Sequence, residues 1–136
     1  MTIRSKLTMT LNNAKALSPD CKFVIIDDCE GYTYRTKNVA KAVDYMLNID
    51  AGLGVNIEDA DGNHLGWFYT CLEYGMDDDE VICDCTDNSF IDMIIQDSYI
   101  TVANGRTVQF KDGTTYVKNS HEDGYRKVNN IMMKGC

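Results

Sequence analysis

A chain of 136 residues with 44% apolar residues and 10% aromatics has the composition of a folded domain, not of a disordered acidic tail, and its length suits one domain over residues 1–136. Its formal charge of −8 argues against direct binding of nucleic acid, whose phosphates it would repel. The basic N-terminus lacks the apolar core of a secretory signal and no apolar run approaches the roughly 18 residues of a membrane span, so the expectation is a cytoplasmic protein without a membrane partner.

Taken in order, Thr10 to Leu17 suits a short helix capped by Thr10 and ended by Ser18-Pro19, since the residue before proline is pushed out of helical geometry. Lys22 to Asp28 contains the run Phe23-Val-Ile-Ile26 and reads as a buried strand, with Tyr32 to Thr36 returning beside it as a hairpin. Thr36 then offers a cap for a helix from Lys37 to Ile49, with Val39, Val43, Met46 and Leu47 on one stripe. Ala51-Gly-Leu-Gly54 is expected to stop that helix.

Val55 to Glu58 and His64 to Leu72 flank Asp61-Gly62, a pair that favours a type I′ hairpin turn. In the second strand Leu65, Trp67, Tyr69 and Cys71 alternate with Phe68, Thr70 and Leu72, so both faces are apolar and a central strand covered on both sides, by helices or by a second subunit, is expected. Val81 to Cys85 suits a short strand, and Thr86 to Ser89 offers caps for a helix over Phe90 to Ile95. A single helix over residues 77–96 is the competing assignment. From Tyr99 the pattern is a meander of Tyr99 to Ala103, Thr107 to Phe110 and Thr115 to Lys118, joined by Asn104-Gly105 and Asp112-Gly113. Glu122 to Met133 suits a short terminal helix with Val128, Ile131 and Met132 as contacts. The fold class expected is α+β: a largely antiparallel sheet of hairpins with two or three helices on its faces.

Few residues are patterned for catalysis. The six cysteines of a reducing compartment include one close pair, Cys83-Asp-Cys85, and no second pair to complete a zinc site, so neither metal nor cofactor is expected. Asp59-x-Asp61-x-Asn63 opens like a calcium loop, but His64 stands where that loop needs glycine and Thr70 where it needs glutamate. His64 and His121 lie in no recognisable motif, and no phosphate loop or nucleophile elbow occurs. The expectation is a protein that is not an enzyme.

Charge is the strongest signal. The 64 residues from Ala42 to Gly105 hold no lysine or arginine and fourteen carboxylates, whereas residues 1–41 hold seven Lys/Arg against four Asp/Glu, and residues 106–136 six against three. Glu73, Asp77, Asp78, Asp79, Glu80, Asp84 and Asp87 form the densest group and are the candidate partner-binding face. Closely spaced carboxylates imitate duplex DNA, which carries roughly one charge per 1.7 Å of axis, so the partner expected is a basic host protein that normally holds nucleic acid. Small, acidic, motif-free chains of this kind resemble, as a class, the inhibitors encoded by phages and mobile elements, including anti-CRISPR proteins and DNA mimics. That resemblance implies the cytoplasm of a host. No residue motif places the chain in a family.

Two other readings stay open. A homo-oligomer that covers the apolar strand would hold a small anionic, nucleotide-like ligand through Arg35, Arg106, Arg126 and Lys127. A small enzyme of unknown type is the third, and an acidic face that only keeps the chain soluble is the alternative to all of them.

Overall fold

In a computed structural model, the described residues are 2–49, 52–71, 81–103, 107–110, 114–118 and 125–128. Helix α1 spans Ile3–Leu17 and is capped by Thr2, whose hydroxyl accepts from the Ser5 amide at 3.0 Å. It starts seven residues earlier than expected, and Thr10 lies inside it, donating to the Lys6 carbonyl at 2.9 Å instead of capping. Leu7, Leu11 and Ala14, spaced four and three apart, form the stripe it buries. Ser18 closes it by donating to the Ala14 carbonyl, just before Pro19.

Strands β1 (Lys22–Asp27) and β2 (Thr33–Thr36) form the expected hairpin. Its turn is fixed by Asp27, which accepts from the Cys29 amide at 2.8 Å, and by Gly31 at φ 74°, left-handed geometry that glycine adopts without steric cost. Helix α2 (Val39–Leu47) follows, shorter at both ends than the sequence suggested, because Asn38 and not Thr36 is the cap, accepting from the Lys41 amide at 2.9 Å. Ala42, Val43 and Met46 are its buried residues.

The next element corrects the sequence reading. Gly52 and Gly54 do not stop a helix; they lie in strand β3 (Gly52–Glu58). A Cβ at Gly52 would collide with the Tyr69 phenol, and one at Gly54 would sit 3.0 Å from Trp67 Nε1. These glycines are flat ground over which two aromatic side chains of β4 (His64–Cys71) lie. The β3–β4 connection also differs: it is a five-residue loop, Asp59 to Asn63, with Gly62 at positive φ (86°), not a two-residue type I′ turn. Asp59 organises it, accepting from the Asp61 and Asn63 amides at 2.9 and 2.8 Å and from Asn63 Nδ2 at 3.1 Å. These bonds hold its carboxyl below the ordinary range, the Asn63 amide contributing most.

Strand β5 (Ile82–Cys85) completes an antiparallel sheet in the order β2-β1-β3-β4-β5, which excludes a continuous helix over residues 77–96. Cross-strand register puts Phe23, Ile25, Leu53, Val55, Ile57 and Phe68 on one face, where they pack with α1, α2 and α3 (Ser89–Ile94) in a single core. Burial of that many large side chains, each contributing about 1.5–3 kcal/mol, is what drives the sheet and helices together. The opposite face carries Val24, Ile26, Asn56, Trp67 and Tyr69, and no described helix covers it. Of the cover expected on both sides of β4, by helices or by a second subunit, the described helices supply one side. Trp67 and Tyr69 remain half-buried because they lie along the sheet instead of standing away from it.

The meander appears as β6 (Thr101–Ala103), β7 (Thr107–Gln109) and β8 (Thr115–Val117), with both expected turn pairs outside the described residues. It gains a fourth strand, β9 (Arg126–Val128), where a helix was expected: the backbone here pairs antiparallel with β8, placing Val128 opposite Thr115. Ile131 and Met132 fall outside the described residues. The fold is α+β with two antiparallel sheets. A smaller core of Met93, Ile100, Val108 and Phe110 backs the second sheet, so α3 contributes Ile91 and Ile94 to one core and Met93 to the other. No described helix is long and apolar enough to cross a membrane.

Candidate functional site: the acidic β5–α3 corner

Of the seven carboxylates singled out by sequence, Glu73, Asp77, Asp78, Asp79 and Glu80 lie outside the described residues. Asp84 and Asp87 are described, and both are exposed at the edge of the first sheet. Asp84 sits on β5 opposite Tyr69, and its Oδ1 accepts from the Cys85 amide at 2.9 Å. The chain then turns away from the sheet. Thr86 donates to the Trp67 carbonyl at 2.8 Å, and Asn88 pins the corner from two sides. Its Oδ1 caps α3 through the Ile91 amide at 2.9 Å, while its Nδ2 donates to the Leu65 carbonyl of β4 at 3.1 Å. The amide thus fixes the angle between sheet edge and helix, and with it the relative placing of Asp84, Asp87 and Asp92.

Asp92 belongs to this group although the sequence reading passed over it as a helix residue. It is exposed in the first turn of α3, where a negative charge is favoured by the helix dipole. The three carboxylates surround the half-buried Cys85. Burial raises its pKa, and the charges of Asp84, Asp92 and Asp87 raise it further by disfavouring a thiolate. That field disfavours the thiolate, the nucleophilic form of cysteine, and attracts cations to the corner.

A depression of about 390 Å³ opens beside β5, with Lys6, Ile82, Asp84, Cys85, Ile95 and Asp97 in its lining. Lys6 does not make it an anion site, because its ammonium is already committed: it donates to the Ile95 carbonyl at 2.8 Å, the Gln96 carbonyl at 3.3 Å and Asp97 Oδ1 at 2.9 Å. It neutralises the C-terminal end of α3. Among the described residues no three histidine, cysteine, aspartate or glutamate side chains converge as metal ligands.

The alternative cationic set is spread between the two sheets. Arg35 is on β2, the outermost strand of the first sheet, and Arg126 and Lys127 are on β9, the outermost strand of the second; Arg106 lies outside the described residues. Arg35 does share one cross-strand row with Val24, Asn56 and Trp67 on the uncovered face. No protein-family model, curated protein sequence or solved structure matches the chain.

Proposed function

We propose that the protein is a non-enzymatic acidic binding protein whose β5–α3 corner occupies a basic, nucleic-acid-binding surface of a host protein. It would act as an inhibitor of the kind carried by phages and mobile elements, an anti-CRISPR-like protein or DNA mimic working in the host cytoplasm. The observation that carries this reading is the exposed trio Asp84, Asp87 and Asp92, which have no ion-pair partner among the described residues and share a corner fixed by Asn88. A cleft that accepts phosphates spaced along a strand offers lysine and arginine to such a group, and its charge complementarity would speed encounter as well as select the partner.

The test is capture of host proteins on the immobilised chain, eluted by a salt gradient, beside a variant with Asp84, Asp87 and Asp92 changed to asparagine. A basic nucleic-acid-binding protein that elutes with salt, is displaced by duplex DNA and is missed by the variant supports the reading. Capture that survives both neutralisation and DNA competition sinks it. A second reading, an oligomer holding a small anionic nucleotide-like ligand, draws on the uncovered sheet face, where Arg35 and Trp67 share a row. Monomeric behaviour at every concentration in sedimentation velocity would remove it.

A further inference from the structure

A second cleft, about 410 Å³ in volume, lies between the β3–β4 loop, the start of α3 and the facing strands of the second sheet. That volume falls in the range of about 300–1,000 Å³ used for small-molecule sites. Leu17, Leu65, Phe90 and Tyr125 supply its apolar walls. Two formal charges line it, and they are opposite: Lys118 and Asp59.

Both charged groups retain capacity for a ligand. The Lys118 ammonium lies 6.0 Å from the centre of the Tyr125 ring, and no carboxylate among the described residues is within ion-pair reach of it. Asp59 accepts three hydrogen bonds, two on Oδ1 and one on Oδ2, and the Gly62 amide also stabilises its carboxylate, so Oδ2 is the less heavily bonded oxygen. Those same bonds keep the group ionised. The Ser89 hydroxyl, also in the lining, makes no side-chain hydrogen bond among the described residues.

The charges decide between ligand classes. A simple anion would be attracted by Lys118 and repelled by Asp59, with Asp87 also beside the rim-forming Asn88; a simple cation would meet the reverse. A molecule carrying one charge of each sign satisfies both. We propose that this cleft binds a small zwitterion with an aromatic or apolar body, an α-amino acid, whose carboxylate faces Lys118 and Ser89, whose ammonium faces Asp59 and whose side chain lies between Phe90 and Tyr125. The site borders the acidic corner, sharing Asn88 with it, and does not depend on the function proposed for that corner.

Four probes of one shape test this on the full chain by amide-resolved NMR titration: phenylalanine, N-acetylphenylalanine, phenylalaninamide and N-acetylphenylalaninamide. Phenylalanine is expected to saturate and to shift the amides of residues 88–90 and 118, with each singly charged probe about tenfold weaker and the neutral one weaker again. Lys118→Met is expected to abolish the preference for phenylalanine over phenylalaninamide while keeping the preference over N-acetylphenylalanine. A merely structural lysine would lower all four affinities together. The inference is overturned if phenylalanine shows no saturable shift up to about 10 mM, if the neutral probe binds as well, or if Lys118→Met leaves the ranking unchanged. The ranking on the unmodified chain decides the matter even if the variant does not fold.

Discussion

Replacing Asn13 by alanine tests how α3, and everything it carries, is held in place. Asn13 is only 1% exposed, and its amide makes three bonds to backbone some 80 residues away. Nδ2 donates to the Ile94 carbonyl at 3.2 Å and the Ser98 carbonyl at 3.3 Å, while Oδ1 accepts from the Ile100 amide at 3.2 Å. With Lys6, it ties α1 to the end of α3 and the chain leaving it. Alanine leaves two carbonyls and one amide without those partners, and each orphaned buried group costs about 1–3 kcal/mol. Water entering the vacated space recovers part of this, so the expected loss is about 3 kcal/mol, a large share of the roughly 5–15 kcal/mol that stabilises a typical domain.

Urea unfolding, followed by the fluorescence of the only tryptophan, Trp67, measures that loss, with the denaturant slope expected to stay unchanged. Asn13→Asp sharpens the test. It keeps an acceptor for Ile100 but turns the donor into a charge facing two carbonyl oxygens, so it is expected to be worse than alanine at neutral pH and to recover as the carboxyl protonates in acid. A loss below about 1 kcal/mol for alanine, or an aspartate variant more stable than alanine at neutral pH, would refute the account of this tie.

Two further outcomes follow from the thiols. Neutralising Asp84, Asp87 and Asp92 removes charges that disfavour the Cys85 thiolate, so its pKa falls toward the ordinary value and alkylation by uncharged iodoacetamide at pH 8 speeds up several-fold in a Cys83→Ser background; an unchanged rate would show that the trio does not surround this thiol. Cys21 is fully buried, and desolvation pushes its pKa from 9.0 up to about 11. A raised folded-state value means that the unfolded chain loses the proton first, so this contribution is intact below pH 9 and is lost as pH rises toward 11. At about 1.4 kcal/mol per unit the effect reaches roughly 2.5 kcal/mol, and Cys21→Ala should flatten that part of the stability curve measured by urea unfolding from pH 8 to 11.

The elements legible in the sequence were those whose signals are local. β1, α2, β4 and the meander strands follow from apolar runs, helical spacing and turn pairs over a few residues. The misreadings share one cause: the deciding partner lies far away in the chain. The first half of α1 was hidden because its buried residues include Lys6 and Thr10, and the Lys6 ammonium is held by bonds to the segment after α3. Gly52 and Gly54 read as a helix stop because the side chains that need them bare, Tyr69 and Trp67, belong to the neighbouring strand. Arg126–Val128 is a strand because β8 offers an edge, which no local periodicity announces. At the candidate site Asp84 and Asp87 were visible as charge, whereas Asp92 joined them only through the turn made by Asn88.

Charge that is segregated along the chain is partly re-paired by the fold. Arg4 meets Asp44 at 2.7 Å, Lys22 meets Glu58 at 3.8 Å across β1 and β3, and Lys6 meets Asp97 at 2.9 Å, so cations from the first 22 residues answer acids of the middle block. The exposed Arg4–Asp44 pair contributes at most about 1 kcal/mol, so the interest of this re-pairing lies in where it leaves the field bare. That place is β5, and an edge strand needs a charge for another reason: a bare edge invites pairing with a second chain. Asp84 alone meets that need, because it is the described carboxylate on the strand itself. Docking on a basic surface needs Asp87 and Asp92 as well, since they extend the charge around the corner. The two roles therefore separate by substitution. If the corner is a docking surface, Asp87→Asn with Asp92→Asn abolishes salt-sensitive capture of a basic partner while the chain stays monodisperse in light scattering. If the charge serves only to protect the edge, that double variant captures as before, and Asp84→Thr alone changes behaviour by promoting self-association.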